Sequence, residues 1–250
     1  MKVVFVHGAF VSDAQWWWNR MVAPLAFRGL STTAVELPSC GGGGDVHTDA
    51  DAVAAVLGDE PVVLVGHSYG GMVITDAGLR AHHLVYVTSV LPDEGESLDL
   101  VAGAGAPFIH PREDGTAEVQ GDVLPELFMQ DCDTEAVEGA LKRLSPQSQT
   151  AFGQAPRAIA WRSVPSTYVV CAQDRATVPQ RQRVFARRAQ RVVEIPTGHH
   201  PFLSHPELLA DVIADTVGGR DRRPPHDAHH RGDHGRHRFS AVGEIDVTDR

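Results

Sequence analysis

The turn Gly66-His67-Ser68-Tyr69-Gly70 follows an apolar run at 61–65 and precedes a helix-like stretch at 70–79. A serine held in so tight a strand-to-helix turn projects its hydroxyl from the sheet edge, and small neighbours such as Gly66 and Gly70 let the adjacent backbone approach closely. A hydroxyl is a poor nucleophile at neutral pH. It needs a base within hydrogen-bond reach and a third group that holds that base in the right tautomer. Two downstream positions supply the types required. Asp174 closes the run STYVVCAQD, and His199 follows RVVEIPTG directly after Gly198. The chemistry expected is attack by Ser68, with His199 as base and Asp174 as orienting acid. His200 is the alternative base, and Asp93, after the run at 83–90, is the alternative acid.

Attack on a carbonyl builds charge on its oxygen, which calls for backbone N–H donors. Tyr69 supplies one at the start of the following helix, where the helix dipole also favours negative charge. The second is expected from Ala9, in the loop VHGAF, with Phe10 flanking the substrate pocket. His7 and His67 read as turn-packing residues.

These residues need elements that bring them to one edge. Strand-like runs at 2–8, 31–38, 61–68, 83–90, 166–174 and 191–198 alternate with helix-like runs at 12–29, 49–58, 70–79, 179–190 and 205–217. That alternation implies an α/β fold, a mostly parallel doubly wound sheet whose carboxyl-end loops share one side. In the run at 12–29, Ser12 and Gln15 are spaced as a capping box. Residues 91–165 interrupt the rhythm with helix-like pieces and Gly- and Pro-containing loops but no strong strand. They read as a helical cap over the sheet edge, whose Leu124, Leu127, Phe128, Met129, Phe152 and Trp161 are candidates to line a pocket. The expected organisation is a core of 1–90 and 166–217, a cap of 91–165, and a His- and Arg-rich tail of 218–250 whose composition suits disorder.

Composition narrows the partners. The chain has 250 residues, 32 acidic against 22 basic, and a formal charge of -10, which disfavours nucleic acid. Cys40, Cys132 and Cys171 form no C-x-x-C pair, so neither a disulfide framework nor a metal site is expected. The opening apolar run is too short for a signal peptide, and no run reaches the roughly 18 apolar residues of a membrane span. A cytoplasmic protein is expected. Three consecutive indoles at 16–18 cannot all face one core, so one is expected to meet solvent, the cap or a partner chain, which leaves a homodimer open.

VHGAF, GHSYGG, CAQDRATVP and PTGHHPFLSHPELLADVI together resemble, in order, the oxyanion loop, elbow, acid loop and histidine loop of the α/β-hydrolase superfamily. The resemblance covers 1–217 and is strongest to the compact group of methylesterases and hydroxynitrile lyases. It implies a serine carboxylesterase acting on a small-molecule ester without metal or organic cofactor. The lyases of that group are similar but carry Thr and Lys where this chain has Gly8 and His200, which favours ester hydrolysis. A lyase or perhydrolase on the same scaffold, and a receptor that only binds a small molecule, are the alternatives.

Overall fold

The computed structural model describes residues 1–102 and 106–218; apart from Gly218, the tail of 218–250 lies outside the described residues. In chain order, β1 (Lys2–Val6) leads through α1 (Ala14–Trp17) and α2 (Asn19–Phe27) to β2 (Ser31–Val35). Then follow α3 (Val46–Val56), β3 (Val62–His67), α4 (Gly70–Ala77) and β4 (His83–Val87). The insertion carries α5 (Leu98–Ala102), β5 (Ile109–Pro111), β6 (Thr116–Val119), α6 (Thr134–Leu141), β7 (Gln147–Ser148) and α7 (Thr150–Gly153). The core resumes with β8 (Ser166–Cys171), α8 (Pro179–Ala186), β9 (Arg191–Ile195), α9 (Pro201–Ser204) and α10 (Pro206–Val217).

Six strands form one parallel sheet in the order β2-β1-β3-β4-β8-β9. Strand side chains alternate between faces, so each strand feeds two cores. Val3, Phe5, Val63, Val65, Val85 and Val87 pack on the α2 and α10 side, while Val4, Val6, Leu64, Leu84 and Tyr86 pack on the α3 and α4 side. Burial on both faces explains why β3 reads as an unbroken apolar run rather than an alternating one. The chain leaves β1 toward β2 and then returns to the other side of β1 with β3. The crevice where the order reverses lies between the carboxyl ends of β1 and β3.

Two local expectations change. The helix at 12–29 is broken at Trp18, and its cap is Asp13, which accepts from Trp16 N at a positive φ of 61°. Asp13 therefore does the work assigned to the Ser12 and Gln15 spacing. The insertion also holds an antiparallel sheet, β5-β6-β7, where no strong strand was expected. Its strands are two to four residues long, too short to show a periodicity. Trp17 and Trp18 are buried, and Trp18 stacks on Phe5 with centroids 4.2 Å apart. Trp16 lies half-buried against the insertion, with the Arg143 guanidinium 4.4 Å from its ring.

Candidate active site

Ser68 follows β3 with φ at +51°, a conformation that costs a non-glycine residue of order 1–3 kcal/mol and holds only where its surroundings enforce it. They do so here. Ser68 N donates to Val87 O at 3.3 Å, and Ser89 Oγ donates to Ser68 O at 2.6 Å. A Cβ on Gly66 would sit 2.7 Å from Gly70 O, and one on Gly70 would sit 2.6 Å from Val6 O. No side chain fits at either position, which is what the G-x-S-x-G spacing requires.

The loops after β8 and β9 bring Asp174 and His199 together, with His199 Nδ1 2.8 Å from Asp174 Oδ2. Asp174 Oδ2 also accepts from Thr88 Oγ1 and from Gln182 Nε2 at 3.1 Å, while Oδ1 accepts from the backbone of Ala176 and Thr177 at 2.8 and 3.0 Å. Burial alone would raise this carboxyl. The charge of His199 and these hydrogen bonds outweigh it and hold Asp174 below the ordinary carboxylate range. An ionised carboxylate only accepts, so Nδ1 of His199 carries a hydrogen, and in the neutral ring the lone pair is on Nε2. That is the tautomer a general base needs. Ser68 and His199 line the same cavity, with no hydrogen bond between Ser68 Oγ and the ring among the described residues. Such contacts commonly tighten only when a substrate is bound.

His67 donates from Nε2 to His199 O at 3.0 Å, so the residue before the serine fixes the backbone of the residue after Gly198. Burial, then the charges of His199 and His200, push His67 well below the usual histidine value. His200 donates from Nδ1 to Phe128 O at 2.9 Å and stacks on Trp17, and burial pushes it down to about 3. A ring that resists protonation and turns away from Asp174 is poorly placed as the base. Asp93 is spent elsewhere, on an ion pair with Arg162 at the surface.

Ala9 and Tyr69 line the cavity beside Ser68, and neither backbone N–H donates to a protein acceptor among the described residues. Both loops are anchored by one buried network. Tyr69 Oη and Ser39 Oγ each donate to Asp49 Oδ2 at 2.6 Å, Gln147 Nε2 donates to Ser39 Oγ at 2.9 Å, and Phe10 N donates to Gln147 Oε1 at 2.9 Å. Asp49 is fully buried, and desolvation raises its carboxyl.

The cavity holds about 480 Å³ and is mainly apolar and aromatic, with Phe10, Trp17, Phe108, Leu124, Phe128 and Phe152 in its wall. Leu127 and Trp161 do not line it. Residues 124–128 form a π-helical turn, closed by Met129 N donating to Leu124 O, so Leu124 and Phe128 face inward and Leu127 rotates off the wall. The Trp161 indole N–H is taken by Pro92 O at 2.8 Å, and its ring packs on the core. Met129 is buried in the core instead.

A family model described as the alpha/beta hydrolase family matches residues 3–212. The chain belongs to the alpha/beta hydrolase family. Within it, a pyrethroid hydrolase of Sphingobium wenxiniae is 29% identical over 251 residues, covering 85% of this chain and 86% of the relative. Methylesterase 8 of Arabidopsis thaliana is 27% identical over 252 residues, covering 85% and 89%. The crystal structure of a pyrethroid hydrolase from Sphingobium faniae superposes with a TM-score of 0.76 at 24% identity, covering 88% of this chain and 98% of that one. This hydrolase is therefore similar to esterase-named relatives, methylesterases among them.

Several residues of this alpha/beta hydrolase site had no reading in the sequence. Thr88, at a positive φ of 40°, donates to Asp174 from the end of β4. Its signal was a polar Thr-Ser pair closing an apolar run at the same sheet edge. Asp49 and Gln147 carried none, because each acts through partners distant in sequence.

Proposed function

We propose that the chain is a serine esterase that cleaves a small-to-medium carboxylic ester through an acyl-enzyme. The observation that carries this reading is the Nδ1–Oδ2 contact of 2.8 Å between His199 and Asp174, at a cavity shared with the strained Ser68. Ser68 Oγ attacks the ester carbonyl while His199 Nε2 takes its proton, and Asp174 stabilises the imidazolium that forms. The N–H groups of Ala9 and Tyr69 hold the developing oxyanion. His199 returns the proton to the departing alcohol, then takes one from the water that attacks the acyl-serine and passes it to Ser68 Oγ as the acid departs. The aromatic wall supports an ester with an apolar or aryl body. The scheme draws on no metal or organic cofactor.

Ser68→Ala is expected to lose turnover of p-nitrophenyl, methyl and longer acyl esters by about 10⁴-fold or more and to escape labelling by a fluorophosphonate. Unchanged turnover in that variant sinks the reading. Cyanohydrin cleavage or peracid formation in place of ester hydrolysis by the unaltered protein would move it to the lyase or perhydrolase alternative. Tight binding of an ester with neither turnover nor serine labelling would instead support a receptor.

A further inference from the structure

Three residues of the insertion, Phe128, Gln130 and Asp131, reach the two loops that carry Asp174 and His199. Gln130 Nε2 donates to Gln173 O at 2.7 Å, on the residue immediately before Asp174. Asp131 Oδ2 accepts from Gly198 N at 2.7 Å, on the residue immediately before His199, and from Ser204 Oγ at 2.9 Å. Phe128 O accepts from His200 on the other side of His199. The loop at 198–200 is thereby gripped from the insertion at two points, while His67 holds His199 O from the elbow.

The grip is close. A Cβ on Gly198 would stand 2.4 Å from Asp131 Oδ1 and 2.6 Å from Gln130 Nε2, so a side chain here would push both insertion side chains aside. Asp131 Oδ2 also lies 3.6 Å from His205 Nδ1, so one carboxylate oxygen meets three groups of the segment that follows β9.

We infer that Gln130 and Asp131 form a clamp that fixes the spacing of the acid and base loops, so that the insertion positions the catalytic pair as well as lining the pocket. The inference rests on the proposed Ser68-His199-Asp174 reading. Gln130 and Asp131 are positioning residues. They lie outside the cavity wall and act through the backbone of Gln173 and Gly198. A displacement of about 1 Å at His199 is enough to cost roughly 100-fold in rate without weakening substrate binding.

The test uses the full chain and p-nitrophenyl butyrate. Competent sites are counted by exhaustive fluorophosphonate labelling read by mass spectrometry, so that misfolded molecules drop out of the rate. Asp131→Ala is expected to lower kcat per labelled site roughly 100-fold and to slow labelling in parallel, with KM within about three-fold of the parent. Asp131→Asn keeps an amide oxygen for Gly198 N–H and is expected to recover all but about ten-fold of that loss. Gln130→Leu, which removes only the donor to Gln173 O, is expected to cost about ten-fold and carries the test by itself if Asp131→Ala yields no soluble protein. A kcat per labelled site within about two-fold of the parent in Asp131→Ala, or in Gln130→Leu if it stands alone, overturns the clamp, as does an Asn variant no better than Ala. Turnover that survives Ser68→Ala overturns the triad reading and the clamp with it. Turnover lost in Ser68→Ala but unchanged per site in Asp131→Ala overturns the clamp alone.

Discussion

Ser68, Asp174 and His199 stand one, three and four residues past the ends of β3, β8 and β9, whereas Phe128, Gln130, Asp131 and Gln147 stand on a helical turn, a loop and a two-residue strand of the insertion. The first set is placed by the parallel sheet, whose strand ends share one edge whatever side chains they carry. The second set is placed by individual hydrogen bonds to core loops: Gln147, Gln130 and Asp131 reach the backbone at Phe10 N, Gln173 O and Gly198 N, and Phe128 O accepts from the His200 ring. One region therefore delivers the proposed reacting groups by topology. The other adjusts and encloses them by contacts peculiar to this chain.

The difference makes the two regions breakable in different ways. The largest effect is expected where the core carries the proposed triad. Asp174→Asn keeps the shape but no longer fixes the His199 tautomer, and kcat is expected to fall on the order of 10⁴-fold. Asp93→Asn, at the neighbouring strand end, is expected to leave kcat nearly unchanged, because Asp93 is engaged with Arg162. Steady-state kinetics of the two variants decide between them, and the opposite ranking would return the acid role to Asp93.

The same division explains what the sequence disclosed. The strands were legible because β-branched runs ended by Gly or a polar residue mark buried parallel strands, and the spacing of Ser68, Asp174 and His199 followed from those ends. The insertion was legible only as an interruption. β5, β6 and β7 are too short to alternate, and the π-helical turn at 124–128 breaks the 3.6-residue rule that would have grouped Leu127 with Leu124. Gln130 and Asp131 sit in LFMQDC, where nothing local distinguishes a clamp from a solvated loop. Their partners lie 43 and 67 residues away.

An intermediate effect is expected in the wall. The Phe128 ring meets the His199 ring edge-on at 5.2 Å and Phe108 at 5.5 Å, so it closes the cavity beside the proposed base without contributing a proton. Phe128→Ala is expected to raise KM for aryl esters roughly 10- to 100-fold, the worth of one buried aromatic contact, and to change kcat less. For acetate and other short acyl esters the KM change is expected to be smaller. Equal losses of kcat across both substrate sets would place Phe128 with the positioning residues instead.

The smallest effect concerns stability, at the seam where core and insertion meet. His200 lies between Trp17 and His67, with its Nδ1–H on Phe128 O, and burial pushes it down to about 3. Its folded value lies below the ordinary 6.5, so the unfolded chain takes up the proton first as pH falls. The contribution of neutral His200 is therefore complete above pH 6.5 and is lost progressively between 6.5 and about 3. By pH 5 the loss is on the order of 2 kcal/mol, or several degrees in Tm for a domain of this size. His67 is shifted the same way by burial and contributes to the same acid sensitivity in every variant. His200→Phe keeps an aromatic ring against Trp17 but cannot titrate, so its Tm is expected to decline less steeply between pH 7 and pH 5. Calorimetric scans across that range read the slope directly and do not depend on any offset at neutral pH from the lost bond to Phe128 O. Parallel slopes for parent and variant would mean that the protonated ring is accommodated where it stands, and that the seam is wetter than its burial indicates.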